Sequence, residues 1–495
     1  MPIEVAFAAL GALLVVAALG ASLVDRAPLS FPIVFLAVGV ALGPRGLGAL
    51  AFEAHSPALE VLTTFTLSLI MFLDAVNLER TGERRDLVVP LLVLGPGTLL
   101  VIALGTVAAA LLLHFPPVVA GLVGAVLAST DPVVLRDVTR DLAVPAPIRR
   151  VLSIESGTND VVVLPILLVL LASAQHRIGS AWGWLWFLAE LLLLGPLVGF
   201  VIGGLGAWLM AAVDARWPVR REFQSIYGIG LVLLAYSAGA SIGVDGFLAA
   251  FAAGLGVTLL DQRLCDCFLE YGAATAEFAM LLAVAAFGAL LSTVLGGPML
   301  WPSFALAAFL LFVARPSAIA LITLRAPGLS SQARAFIAWF GPRGLSSLLF
   351  ALLVVRTGVP EATSVLAAVG AVVVVSVVLH GASATPVSAL YARAVARSTL
   401  GEERESTVTG LFAGDGGEVP RVTADDLAAQ ADHVRVGGVL QRSPFSANGS
   451  SVWATRQVST VSRGGGVPFE DPPRGGSKTD ANGPKGTETD EDPQG

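Results

Sequence analysis

AVLASTDPVVLRDV, residues Ala125–Val138, carries the feature that decides the fold. Its apolar residues belong to a membrane-spanning helix, yet Asp131 and Pro132 interrupt it. Proline has no amide hydrogen and disfavours helix in the residue before it. The helix is therefore expected to unwind around Thr130–Asp131 and expose carbonyl oxygens, which suit a hard monovalent cation. Non-helical backbone at membrane depth persists only inside protein or along an aqueous cavity, and broken helices near the midplane are the usual construction of transport sites. A simple proline kink is the plainer alternative.

The rest of the chain supplies the membrane context. Of 495 residues, 55% are hydrophobic and 14% charged, against roughly 25% charged in a soluble domain. Mean hydropathy is +0.79. Apolar runs of helical length recur, near 5–24, 29–43, 58–77, 87–113, 117–139, 148–174, 182–213, 222–240, 244–260, 271–296, 301–324, 332–355 and 362–392. A run of about 20 residues crosses a hydrocarbon core as a helix. None alternates over ten residues as a barrel strand would. The expected fold is an all-α polytopic membrane protein of about thirteen spans, with long seventh and last spans that are tilted or broken. The first span has no basic residues before it and reads as a retained helix rather than a cleaved signal.

Arginine placement tests that count. Loops alternating from an outside N-terminus put sixteen arginines inside (Arg26, Arg80, Arg84, Arg85, Arg136, Arg140, Arg149, Arg150, Arg216, Arg220, Arg221, Arg263, Arg325, Arg334, Arg393 and Arg397). Three, Arg45, Arg177 and Arg356, fall outside. This is the positive-inside bias, and it places the C-terminus in the cytoplasm of a cell whose inner membrane the chain spans.

The net charge of −7 averages two unlike parts. Residues 1–395 read as the membrane domain. Residues 396–495 are rich in Gly, Ser, Thr, Pro, Asp and Glu and read as a mostly disordered tail. Within it, Val419–Asp432 reads as a short helix capped by Thr423, and resembles the opening of a rhodanese domain with no catalytic cysteine after it. Cys265 and Cys267, one residue apart in an expected polar loop, are poorly spaced for a mutual disulfide.

Buried charge is costly, roughly 2.5–3.5 kcal/mol at mid-span, yet Asp131, Glu155, Asp160, Glu277, Arg315 and Arg343 all fall in or near mid-span. In SIESGTNDVVVLP, Ser153–Pro165, the pairs Glu155/Asn159 and Ser156/Asp160 are four apart and each shares a helix face. A hydroxyl plus a carboxylate suits Na⁺, Li⁺ or K⁺. One carboxylate can hold either a cation or H⁺, which is the minimum machinery for exchange. In FVARPSAIA, Phe312–Ala320, Arg315 needs an acidic partner, for which Glu155 is the candidate. In WFGPRGLSSLLF, Trp339–Phe350, Gly341, Pro342 and Gly344 around Arg343 predict a second broken helix.

Together STDPV (Ser129–Val133), ESGTND (Glu155–Asp160), EFAMLLAVAAFG (Glu277–Gly288), ARP (Ala314–Pro316), GPRG (Gly341–Gly344) and VVLHGASATP (Val377–Pro386) resemble bacterial NhaP-type sodium/proton antiporters, relatives of the animal sodium/hydrogen exchangers. The resemblance covers about residues 5–395. It implies two inverted six-helix repeats joined by a linker helix, with one bundle moving against a dimerisation domain, and a homodimer in membrane lipid. It implies that Asp160 is the shared cation/proton carboxylate, supported by Asn159 and Ser156, with the Thr130 carbonyl as a further ligand. Asp131 would balance the helix ends, Glu155 and Arg315 would form a structural ion pair, Pro132 and Arg343 would mark the two breaks, and Glu277 would be accessory. A single aspartate after Asn159 resembles the electroneutral one-for-one branch. Gly157-Thr158 departs from the Leu-Leu common in relatives, which bears on selectivity.

The expected substrates are Na⁺ or Li⁺ and H⁺, with K⁺ in place of Na⁺ as the alternative. No cofactor and no nucleic acid are called for. A channel is disfavoured by a titratable carboxylate at a broken-helix crossing, and a membrane sensor by a tail without signalling motifs. An enzyme is disfavoured because His55, His114, His176 and His380 stand singly, at expected helix ends.

Overall fold

The computed structural model of the chain describes residues 11, 15, 31–50, 56–78, 87–176, 178–260, 262–294, 297–324, 326, 329–359 and 361–397. Two units, Met1–Glu418 and Val419–Gly495, divide the chain, and every described residue lies in the first. Most of the expected first span and the tail beyond 397 therefore lie outside the described residues.

All regular structure among the described residues is helical: α1 (Phe31–Leu42), α2 (Pro57–Leu78), α3 (Val88–Leu112), α4 (Pro117–Val126), α5 (Pro132–Arg140), α6 (Ala146–Ala174), α7 (Ala181–Asp214), α8 (Arg221–Ser241), α9 (Gly246–Leu260), α10 (Gln262–Ser292), α11 (Leu300–Thr323), α12 (Ser331–Trp339), α13 (Leu345–Arg356) and α14 (Ala362–Arg397). Eight of these are long and apolar enough to cross a membrane unaided. The pairs α4–α5 and α12–α13 each form one crossing interrupted near its middle, over Leu127–Asp131 and Phe340–Gly344. Pro132 opens α5, where a missing amide hydrogen costs nothing.

Of the two forms expected for the last span, tilted or broken, the break is not seen: it is one continuous helix, with Pro386 inside it. Two expectations need correction. Cys265 and Cys267 stand on the first turns of α10, because Phe268 extends that helix inward and packs edge-on against Phe72, ring centroids 4.8 Å apart. His380 is not at a helix end; it lies inside α14 and is buried. Its neighbours Gly381 and Pro386 read locally as breakers, but packing carries the helix through them.

Prolines also shape three helices without breaking them. α3, α7 and α11 each contain a wide turn, at Val93–Gly97, Glu190–Leu194 and Leu310–Ala314. Pro96 lies in the first, and Pro196 and Pro316 follow the others by two residues. A proline removes one amide and crowds the carbonyl a turn before it, and a π-type turn absorbs both effects.

These irregularities reveal an internal repeat. A helix with a wide turn, a broken helix and a long helix with an interior proline occur in that order as α3, α4–α5, α6 (Pro165), and again as α11, α12–α13, α14 (Pro386). α11 is the seventh crossing after α3, so the second set runs opposite to the first, as in inverted-repeat transporters.

Small residues set the helix spacing, since apolar burial gives little drive for association in lipid. Gly199 and Gly203 of α7 lie directly on the backbone of Ala249 and Ala253 in α9. Gly39 of α1 and Gly288 of α10 make a similar contact, and a Cβ on Gly288 would meet the Leu36 carbonyl and the Gly39 backbone. Backbone cannot yield as a flexible side chain can. Gly288→Val should therefore cost about 1–3 kcal/mol, read as a lower melting temperature in detergent. An unchanged melting temperature would mean that α1 and α10 do not approach this closely.

Candidate ion-binding site

The two breaks meet each other. The Asp131 amide donates to the Pro342 carbonyl at 3.0 Å, joining them backbone to backbone. Arg343 Nη1 donates to Ala128 O at 2.6 Å and Ser129 O at 3.4 Å. Ser347 Oγ donates to Val126 O at 2.9 Å. Side chains of one break thus satisfy carbonyls of the other.

α6 runs beside the crossing and supplies the central carboxylate. Ser129 Oγ donates to Asp160 Oδ1 at 2.5 Å, and Ser346 stands near the same carboxylate. One turn of ring-like contacts is completed by Asn159, whose Nδ2 donates to Ala128 O at 3.2 Å and Thr130 Oγ1 at 3.1 Å. Asn159 Oδ1 is buried with no hydrogen-bond partner among the described residues. Asp160, Asn159, Thr130, Asp131 and Ser156 are all buried. The Ser156 hydroxyl turns back to Ser153 O at 3.5 Å, so the serine that donates to Asp160 comes from the first break rather than from α6. Glu277 is half-buried on α10, a helix packed chiefly on α1, α2 and α8.

Arg315 and Glu155 meet in a two-pronged pair, Nη1–Oε1 2.5 Å and Nη2–Oε2 2.8 Å. Nη2 also donates to Ile337 O at 3.1 Å and Phe340 O at 3.0 Å, the loose carbonyls at the end of α12. Glycines make room: a Cβ on Gly341 would overlap the Arg315 guanidinium, and one on Gly344 the Asp131 carboxylate.

Sequence reasoning missed four participants. Ser129, Ser346 and Ser347 carry no signal, because a lone serine in an apolar helix is cheap. Asp74 of α2 is buried and close enough to Asp160 and Asp131 for their charges to repel. Its signal was an acid inside an apolar run, obscured by the polar residues that follow it. The buried group thus holds four carboxylates, Asp74, Asp131, Glu155 and Asp160, against two guanidiniums, Arg315 and Arg343. Such a group favours uptake of a cation or protons.

Asp160 is only 3% exposed. A cavity of about 370 Å³ lies elsewhere, lined by residues including Gln175, Glu190, Asp245 and Thr357.

A family model described as "Sodium/hydrogen exchanger, transmembrane" matches residues 12–390. The chain is 25% identical over 360 residues to the protein named K(+)/H(+) antiporter NhaP of Alkalimonas amylolytica, covering 72% of this chain and 61% of that one. It is 27% identical over 389 residues to K(+)/H(+) antiporter NhaP2 of Shewanella baltica, covering 78% and 66%. The matched region thus spans somewhat under two thirds of the length of these curated relatives. The structure of the sodium proton antiporter MjNhaP1 from Methanocaldococcus jannaschii at pH 8 has the same fold, with a TM-score of 0.65 at 20% identity over 79% of this chain and all of that one.

Removing Arg315 strands Glu155 and frees two carbonyls at the α12 terminus. Arg315→Ala should cost about 3–5 kcal/mol and fall sharply in melting temperature and membrane yield. A variant that melts like the parent would show that the pair contributes little to stability.

Proposed function

The chain belongs to the sodium/hydrogen exchanger family, and we propose that it exchanges a monovalent cation, Na⁺ or Li⁺, for H⁺ by alternating access. The observation that carries this reading is a buried carboxylate, Asp160, held by Ser129 where two broken helices cross. Asp160 takes the cation and the proton alternately. Asn159, Ser156 and the Thr130 carbonyl complete or support the ligand set, and Asp131 and Asp74 add negative potential. Glu155 with Arg315 is structural, and Arg343 ties the breaks together. Glu277 is assigned an accessory place. Hard oxygens of this kind suit alkali cations.

K⁺ is the second reading, supported by the printed names of the curated relatives, which are K(+)/H(+) antiporters. We assign residues 1–395 to the exchanger and 396–495 to a cytoplasmic tail. The arginine asymmetry supports an inner-membrane protein with its N-terminus outside and C-terminus inside. Its proposed partners are the cation, H⁺, membrane lipid and a second copy of the chain.

Two experiments test the mechanism. Asp160→Asn keeps the shape of the side chain but cannot bind a proton or carry charge. In everted vesicles given Na⁺, Li⁺ and K⁺ in turn, this variant should reach normal membrane levels and lose all cation-dependent proton movement. Robust exchange by it would end the proposal.

The second concerns charge. If one cation and one proton exclude each other on Asp160, each half-cycle moves one positive charge and nothing net crosses. Exchange in proteoliposomes should then be insensitive to an imposed potential. A rate that climbs steeply with voltage would require a second carrier, and Asp74 would be the first residue to substitute.

A further inference from the structure

His380 is absent from the mechanism above, yet it sits against its most delicate part. It lies on α14 and is 2% exposed. Its Nε2 is 2.9 Å from the carbonyl of Trp339, the last residue of α12. Its ring leans over the Trp339 indole, centroids 5.4 Å apart and planes 32° apart. Its Nδ1 is 2.7 Å from Ser376 O and 3.3 Å from Ser376 Oγ. That same Ser376 Oγ accepts the Arg343 amide at 2.7 Å. One turn further along α14, Ser383 Oγ accepts from Trp339 Nε1 at 3.0 Å.

Ser376, His380 and Ser383 are four and three residues apart and so share a face of α14. This face grips the second break at two points, at Trp339 just before it and at Arg343 within it. The groups so held lead to the ion site. Pro342, between them, accepts the Asp131 amide at 3.0 Å. Arg343 reaches Ala128 O at 2.6 Å. Ser346, three residues beyond Arg343, stands near the Asp160 carboxylate.

We propose that His380 is a positioning residue for the ion site: it clamps the α12–α13 break so that Pro342, Arg343 and Ser346 meet Asp131, Ala128 and Asp160 in register. The plainer account is a core histidine that only adds stability. The two accounts differ, because a clamp changes the geometry at Asp160 while a packing residue changes only the melting temperature. The proposal rests on the exchange reading above.

The test uses the full chain with three substitutions, His380→Leu, His380→Gln and Leu366→Ala. Leucine fills the space without a hydrogen bond; glutamine restores an N–H at similar reach. Leu366 is buried elsewhere on α14 and serves as a destabilising control. His380→Leu should raise the half-saturating cation concentration about tenfold, the scale of one net hydrogen bond, and speed deuterium uptake at the amides of Phe340, Gly341, Arg343 and Gly344. His380→Gln should recover most of both effects. Leu366→Ala should lower the melting temperature with half-saturation unchanged. Should His380→Leu fail to reach the membrane, Ser376→Ala, which frees the Arg343 amide, should shift both readouts the same way. Wild-type values in the leucine variant, or an equal rise in half-saturation for Leu366→Ala at matched melting temperature, would overturn the proposal. A parent protein that moves no cation would overturn the exchange reading instead, and deuterium uptake would still report on the clamp.

Discussion

A bilayer offers no water to an interrupted helix, and the structure depends on meeting that constraint twice. Each break leaves carbonyls and amides without intrahelical partners, at several kcal/mol for each left unsatisfied. Among those exposed, Ala128 O is taken by Arg343 and Asn159, Val126 O by Ser347, Ile337 O and Phe340 O by Arg315, Trp339 O by His380, and Pro342 O by Asp131. The partners come from the other break, from α6, from α11 and from α14. The breaks hold their shape only because these helices stand where they do, and the polar residues that satisfy them assemble a site as a consequence.

The same residues fix the balance of charge. Two guanidiniums in a low-dielectric interior would be costly alone, and Glu155 answers the one on Arg315 with two short bonds. Arg343 donates to the backbone carbonyls of Ala128 and Ser129, while Asp131, Asp160 and Asp74 lie close enough to repel one another. Three carboxylates cannot all ionise at close range without a large repulsive cost. A bound proton or a bound alkali ion would each relieve that cost, and the exchange proposed for Asp160 rests on competition between the two.

Much of this was legible in the sequence because charge inside an apolar run is conspicuous. Asp131, Glu155, Asp160, Arg315 and Arg343 stand out by cost alone, and Pro132 and Pro342 locate the breaks to within a few residues. The i to i+4 reading pairs Glu155 with Asn159 and Ser156 with Asp160 on one helix, but Asp160 accepts from Ser129 of the first break while Ser156 turns back to Ser153 O. Helix periodicity says which residues share a face and nothing about which helix that face meets. Serine is silent for the same reason that makes it useful: it is cheap in lipid until a carboxylate needs its hydroxyl. His380 is expected at a helix end even though the expected last span, 362–392, contains it, and nothing in the sequence signals its contact with α12.

The arrangement of charge also follows the direction of the helices. Helix N-termini carry partial positive charge and C-termini partial negative charge. Asp131 precedes the first residue of α5 and lies against Gly344, the residue before α13, so one carboxylate answers two N-termini. Arg343 meets the carbonyls just past the end of α4, and Arg315 those at the end of α12, so each C-terminus has a guanidinium. Gly341 and Gly344 are required because a side chain at either would displace one of these charges. With all four helix ends answered, Asp131, Arg315 and Arg343 are committed to holding the backbone, and Glu155 to holding Arg315. Asp160 lies in the middle of an intact helix and has no such duty. It accepts from Ser129 and, among the described residues, is held by no guanidinium, which is the property the proposed ion ligand needs and a structural carboxylate lacks.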